Sequence, residues 1–151
     1  MQTHLVLIAG GTGSGKTTLA RAVARQIQAP IISIDDYYRP LDGLTFEERK
    51  LVNFDCPEAI DQDLLTAHIR ELRGGLSIEM PQYDFTRHTR SPQRHRLDPA
   101  PVILIEGIFA LCWPELNRLC PLRVTSRRPS SSGFKGGWSG TSPREAGRSR
   151  R

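Results

Sequence analysis

Nine consecutive residues, Gly10 to Thr18, read GGTGSGKTT and have the types and spacing that bind a polyphosphate. Gly10 and Gly15 frame four residues and lead into Lys16 and Thr17, with the apolar run Leu5 to Ala9 before them and an amphipathic stretch, Leu19 to Gln28, after them. This order of strand, glycine-rich turn and helix is the one a phosphate-binding loop requires. Glycine tolerates positive φ, so the backbone from Gly10 through Gly11, Thr12, Gly13, Ser14 and Gly15 can wrap closely and turn its N–H groups toward phosphate oxygens. The positive end of the helix that opens at Lys16, Thr17 and Thr18 adds to the field. Lys16 is expected to reach the β and γ phosphates, and the Thr17 hydroxyl to hold the magnesium ion that bridges them.

Three carboxylates fall where they could serve such a site. Asp35 and Asp36 end the apolar segment Ile31 to Ile34, and Glu106 ends Val102 to Ile105. Ligands of parallel α/β sheets lie beyond the carboxyl ends of the strands, which places these acids near the loop. One of Asp35 and Asp36 can accept the proton of an attacking hydroxyl, or orient that hydroxyl in line with the γ phosphate, while the other caps a turn. Glu106 suits the magnesium shell, or else is a solvated acid at a strand end. Tyr83, Phe85 and His88 suit an aromatic wall for a nucleobase, or else ordinary hairpin packing. Asp55, two residues before Pro57, reads by itself as a helix cap.

The elements that must position these groups follow from periodicity. Leu5 to Ala9 is apolar on both faces, as in the buried centre of a parallel sheet, and Leu19, Ala20, Val23, Ala24 and Ile27 share one face of the following helix. Thr45 with Glu48 forms a capping-box pattern for a short helix. Pro57 is expected to start a helix that presents Ile60, Leu64, Leu65, Ile69 and Leu72 to the core and stops at Gly74 and Gly75. Leu76 to Met80 and Tyr83 to Arg90 read as an extended excursion or hairpin, residues 92–101 as polar connection, and Ile108 to Cys120 as helix despite Pro114.

Length and charge bound the rest. The chain has 151 residues, enough for one core. Its net charge of +5 sits at one end: Arg123 to Arg151 hold eight Lys and Arg against Glu145 alone, leaving 13 basic and 15 acidic residues before them. Three cysteines, Cys56, Cys112 and Cys120, show no paired metal spacing and point to a reduced, cytoplasmic chain. No apolar run approaches the roughly 18 to 20 residues that span a bilayer, so no membrane partner is expected.

Five blocks in order, GGTGSGKTT, SIDDYYR at Ser33 to Arg39, NFDCPEAID at Asn53 to Asp61, PQYDFTRHTR at Pro81 to Arg90 and ILIEGIFAL at Ile103 to Leu111, resemble the uridine kinase family. Phosphoribulokinase and nicotinamide riboside kinase are neighbours of that family. The resemblance covers about the first 120 residues and implies an α/β fold of the P-loop NTPase type, a Rossmann-like parallel sheet flanked by helices. It implies transfer of phosphate from ATP or GTP, with Mg2+, to the 5′-hydroxyl of uridine or cytidine, as in pyrimidine salvage. By position it makes Asp35 the catalytic carboxylate with Tyr38 nearby, puts Asp55 on the ribose hydroxyls, surrounds the pyrimidine with Tyr83, Phe85 and His88, adds Arg90 to the nucleoside site and gives Glu106 to the magnesium shell. The partner so implied is a small-molecule nucleoside. Nucleic acid is not expected, and a homo-oligomer is compatible. Two alternatives stay open: a kinase for another small alcohol, phosphoribulokinase-like or nicotinamide riboside kinase-like, and a nucleotide-binding module whose basic tail engages nucleic acid.

The family pattern continues with a further strand, an arginine-rich helical lid and a last strand, whereas residues from Ser126 onward are a mixture of Arg, Ser, Gly and Pro. The expectation is therefore an incomplete kinase core over residues 1–124, lacking the lid and last strand, and a disordered Ser/Gly/Arg-rich tail over 125–151, with the reading frame lost near Leu122 to Ser126. A lid arginine is worth about 10³ to 10⁵ in rate, so slow turnover is expected of the chain as it stands. The coding DNA checks this: an alternative frame after codon 122 should spell an arginine-rich helix and a further apolar strand, and its absence from both alternative frames contradicts the expectation.

Overall fold

A computed structural model describes residues 2–127. Its centre is a four-stranded, all-parallel sheet in the order β2-β5-β1-β6, formed by β1 (His4–Gly10), β2 (Ile31–Ser33), β5 (Val102–Gly107) and β6 (Leu122–Ser126). Alternation along β1 divides the core. Leu5, Leu7 and Ala9 point into the larger cluster, and Ile8, with Val6 beside it, faces the helix α1 (Lys16–Ile27) through Ala20 and Ala24. The β5 residues Ile103 and Ile105 follow the first set, and Leu104 the second. Two-sided burial is why these strands read as unbroken apolar runs.

The larger cluster is closed by α3 (Gln62–Arg73), whose Leu65, Ile69 and Leu72 are fully buried, and by α4 (Pro114–Leu119) through Leu116. The expected start of α3 at Pro57 is corrected. Pro57–Ala59 make a single 3-10 turn, Ile60 is extended and bridges Tyr38, and Asp61 caps α3 by accepting from the Leu64 N–H at 3.2 Å. Tertiary hydrogen bonds decide this: Asp61 N–H donates to Tyr37 O and Arg39 N–H to Ala59 O, both at 2.8 Å. Ile108 to Cys120 is also not one helix, because a turn precedes Pro114, which occupies the first turn of α4 where its missing N–H costs nothing. The capping box at Thr45 and Glu48 is present and opens α2 (Phe46–Lys50).

The hairpin is longer than its sequence suggests. β3 (Ile78–Asp84) pairs antiparallel with β4 (Thr89–Leu97), from Asp84 with Thr89 back to Ile78 with Leu97. Most of the span expected as polar connection is therefore strand. Its side chains are mostly exposed, so it lacks the apolar alternation that marks a half-buried strand. At the other end, β6 carries the ordered backbone to Ser126, two residues past the expected boundary, pairing Val6 to Gly10 with Leu122 to Ser126. The tail expected to be disordered lies, from residue 128 on, outside the described residues.

Gly107 shows how tightly the end of β5 is packed, since a Cβ there would lie 2.7 Å from Cβ of the fully buried Ile34. Gly107→Ala should lower the unfolding free energy by about 1–3 kcal/mol through overpacking. Urea denaturation reads this directly, and a loss under about 0.5 kcal/mol, as at an unconstrained surface site, would show that the contact is relaxed at no cost.

Candidate active site

The phosphate loop lies between the end of β1 and the start of α1, and its backbone is built for an anion. Gly13 has φ 70° and Gly15 φ 82°, conformations that an L side chain rarely adopts. Gly15 is the residue before α1, no side chain caps that helix end, and its first turn contains no acid. The leading N–H groups of a helix have no intrahelical acceptor, so they and the dipole are left to face a ligand. Gly10 has a different constraint. A Cβ there would come within 2.4 Å of Ser14 Oγ and 2.6 Å of Ser126 O. The end of β6 thus presses against the loop, and Ser126 Oγ donates to Ser14 O at 2.6 Å.

Glu106 closes the opposite side. It is only 5% exposed, and its carboxylate accepts from Thr17 Oγ1 at 3.2 Å and from Ser33 Oγ at 3.1 Å. Three elements therefore meet at one buried carboxylate: α1 through Thr17, β2 through Ser33 and β5 through Glu106 itself. Among the described residues no Lys or Arg forms an ion pair with it. A hydroxyl and a carboxylate are hard oxygen donors of the kind magnesium takes, with substrate phosphates and water completing its shell. Thr17 and Glu106 thus fit a magnesium ion. Among the described residues no group of three or more His, Cys, Asp and Glu forms an all-protein metal cage.

Thr17, Ser33, Asp35, Asp36, Phe85 and Glu106 line one cavity of about 370 Å³. Asp35 and Asp36 lie in a 3-10 turn over Ile34–Tyr37, directly after β2. Burial, then the nearby Glu106 charge, raises the Asp35 pKa above its ordinary value of 3.8, with Asp36 adding to the shift and Lys16 opposing it. Burial also raises Asp36, which accepts a hydrogen bond from the Tyr83 N–H at 3.2 Å. That bond ties the hairpin to the end of β2.

An aromatic cluster continues from the cavity. Tyr38 packs on Tyr83 at 5.2 Å and on Phe54 at 5.4 Å between ring centres, and Tyr83 packs on Phe85 at 5.1 Å. The Tyr38 hydroxyl donates to Phe54 O at 3.1 Å, and burial together with the charges of Asp35 and Asp55 pushes its pKa up to about 12. Among the described residues the buried Tyr83 hydroxyl has no hydrogen-bond partner. His88 stacks on Phe54 at 5.7 Å, and Asp55 is exposed beside this cluster.

Of the residues singled out from the sequence, Thr17, Asp35, Asp36, Phe85 and Glu106 line the cavity, the charge of Lys16 reaches Asp35 at its edge, and Tyr38, Tyr83 and His88 are joined to it through ring contacts. Arg90 is directed elsewhere: its guanidinium donates to Asp61 Oδ2 at 3.1 Å and to Tyr37 O at 3.2 Å, and it lines a separate cavity. Sequence reasoning missed Ser33, Phe54, Asp61 and Ser126. Ser33, Phe54 and Asp61 stood inside the family-like blocks, but a lone serine, phenylalanine or aspartate carries no chemical signal without its neighbours.

The model of the Phosphoribulokinase / Uridine kinase family matches residues 5–125. A uridine kinase of Staphylococcus epidermidis is 45% identical over 113 residues, covering 73% of this chain and 55% of that protein. A uridine kinase of Halobacterium salinarum is 46% identical over 119 residues, covering 78% and 53% respectively. The chain thus spans about half the length of the curated relatives it matches. Among solved structures, "a Possible Uridine Kinase from Bacillus stearothermophilus" superposes with a TM-score of 0.63 at 22% identity, covering 83% of this chain and 71% of that one, which is a likeness of fold. With the family match running from β1 through β6, and with Thr17, Asp35 and Glu106 lining one cavity, the chain belongs to the Phosphoribulokinase / Uridine kinase family.

Proposed function

We propose that the site transfers the γ phosphoryl group of ATP or GTP to the 5′-hydroxyl of uridine or cytidine, a pyrimidine-salvage reaction. The observation that carries this reading is the cavity in which Thr17, Asp35 and Glu106 lie together, with the Tyr38, Tyr83 and Phe85 rings running on from it.

The residues divide the work. The loop N–H groups and Lys16 hold the β and γ phosphates. Thr17 and Glu106 hold magnesium, which when bound neutralises charge on those phosphates. The Asp35 carboxylate accepts the proton of the acceptor hydroxyl as its oxygen bonds to the γ phosphorus. The bond from that phosphorus to the β-γ bridging oxygen breaks, and the nucleoside diphosphate leaves. A raised pKa suits Asp35 to this task, because a carboxylate destabilised as an anion is a stronger base. The aromatic cluster offers faces for a nucleobase and the unpartnered Tyr83 hydroxyl a hydrogen bond. Asp55, exposed beside the cluster, is proposed to hold the ribose hydroxyls. Phosphoryl transfer by this chain alone is proposed to be slow, because Arg21 is the single arginine among the described residues that line the cavity and charge building on the phosphoryl group needs cationic partners.

Asp35→Asn should reduce kcat for uridine by about 10² to 10⁴ in an ADP-release assay across a panel of nucleosides and other small alcohols. An unchanged rate removes Asp35 from the chemistry, and preferential turnover of a non-nucleoside alcohol overturns the acceptor. The pH dependence has a fixed sign. The rate should fall as pH drops through the raised Asp35 value, placing the acid limb above 3.8. Stability runs the other way: the unfavourable Asp35 anion is absent below its unfolded value and fully present above its raised folded value. Asp35→Asn should therefore raise Tm at pH 7 and leave it unchanged near pH 3, which thermal denaturation at the two pH values reads.

A further inference from the structure

We propose a second anion site, separate from the phosphate loop, in the arginine-lined cavity between the loop at Asp42, α2 and the beginning of β4, with a small phosphate-bearing anion as its ligand. The cavity measures about 460 Å³ and is lined by Arg49, Arg87, Arg90 and Arg94 with Asp42 as the single carboxylate. It shares no lining residue with the cavity that contains Asp35 and Glu106.

Two of the guanidinium groups are fixed in place by the protein. Arg49 Nε donates to Leu41 O and Leu44 O, both at 3.0 Å, and its Nη1 donates to Arg87 O at 3.4 Å. Arg90 is held by Asp61 and Tyr37 O, yet its buried Nε has no acceptor among the described residues. Arg87 and Arg94 are exposed at the cavity and form no ion pair among the described residues. Asp42 is engaged as well, accepting from Thr89 Oγ1 at 3.2 Å. Four guanidinium groups around one concavity are offset by two carboxylates, Asp42 in the lining and Asp61 paired with Arg90, which leaves an excess of positive charge that an anion relieves. Planar forks of N–H donors match phosphate oxygens two at a time, and donors already held in position lose little freedom on binding. A single concavity of about 460 Å³ fits a compact ligand better than a nucleic-acid strand, whose electrostatic footprint is an extended stripe.

The test uses the full chain carrying Lys16→Ala, which weakens the phosphate loop, and titrates it calorimetrically with pyrophosphate at fixed ionic strength. Saturable binding should persist, and adding Arg87→Gln with Arg94→Gln should weaken it about tenfold or more, the loss of two charge-assisted hydrogen bonds. Both side chains are exposed, so an unchanged urea midpoint should accompany that loss. No saturable binding in the Lys16→Ala chain, or binding indifferent to the two arginine changes, overturns the site. ADP in place of pyrophosphate identifies the source: tighter binding assigns the site to free nucleotides, and equal or weaker binding to inorganic phosphates. A single-stranded oligonucleotide that displaces pyrophosphate at lower concentration than ADP does overturns the small-anion reading.

Discussion

A buried carboxylate must be compensated, and the hydrogen bonds around Glu106 are the constraint on which the site depends. An ionised acid taken out of water costs several kcal/mol unless it is paired or hydrogen-bonded. Here two hydroxyls, from Thr17 and Ser33, supply part of that compensation. Because they come from the helix after β1 and from the end of β2, satisfying Glu106 fixes how the ends of three elements meet. The packing of Gly107 against Ile34 sets the spacing one residue further on. Asp35, one residue past Ile34, is held at the edge of the same cavity and takes its raised pKa from it. The geometry of the candidate site and the core packing are therefore the same set of contacts read at two ends of a few residues.

The hairpin is attached to this centre by a short chain of interactions. Asp36 holds the backbone of Tyr83, Tyr83 packs on Tyr38, and the Tyr38 hydroxyl holds Phe54. Behind it, Tyr37 contacts His68 at 3.0 Å in the core, and Arg90 bridges β4 to the Asp61 cap of α3. Four consecutive residues, Asp35 to Tyr38, thus send alternate links to the phosphate side, the hairpin, the core and the aromatic wall. A 3-10 turn makes this feasible, because its three-residue period disperses neighbouring side chains around the backbone.

Much of this was legible from residue types where the chemistry is local. The phosphate loop depends on glycines at set intervals, and β1 and β5 on apolar runs, so both were visible before any contact was known. Thr45 and Glu48 were equally plain, since a capping box is closed within four residues. Long-range pairing was not legible. α3 begins at Gln62 rather than Pro57 because Ile60 pairs with Tyr38, more than twenty residues away, and no local preference encodes that bridge. β4 extends through Leu97 because β3 supplies its hydrogen bonds, although its exposed polar side chains look like a loop. The direction of Arg90 depended on Asp61, whose sequence signal was only that of an acid near a helix start.

We propose that the loop amides and Lys16, with Thr17 and Glu106 hydrogen-bonded beside them, cradle a magnesium-bound polyphosphate. Calorimetric titration of the chain with ATP, with and without Mg2+, measures it most directly, alongside Lys16→Ala and Glu106→Gln. Saturable binding should be tightened by Mg2+, be lost in Lys16→Ala, and retain no Mg2+ dependence in Glu106→Gln. Association that is absent from the unaltered chain, or that is the same in all three proteins, would contradict it.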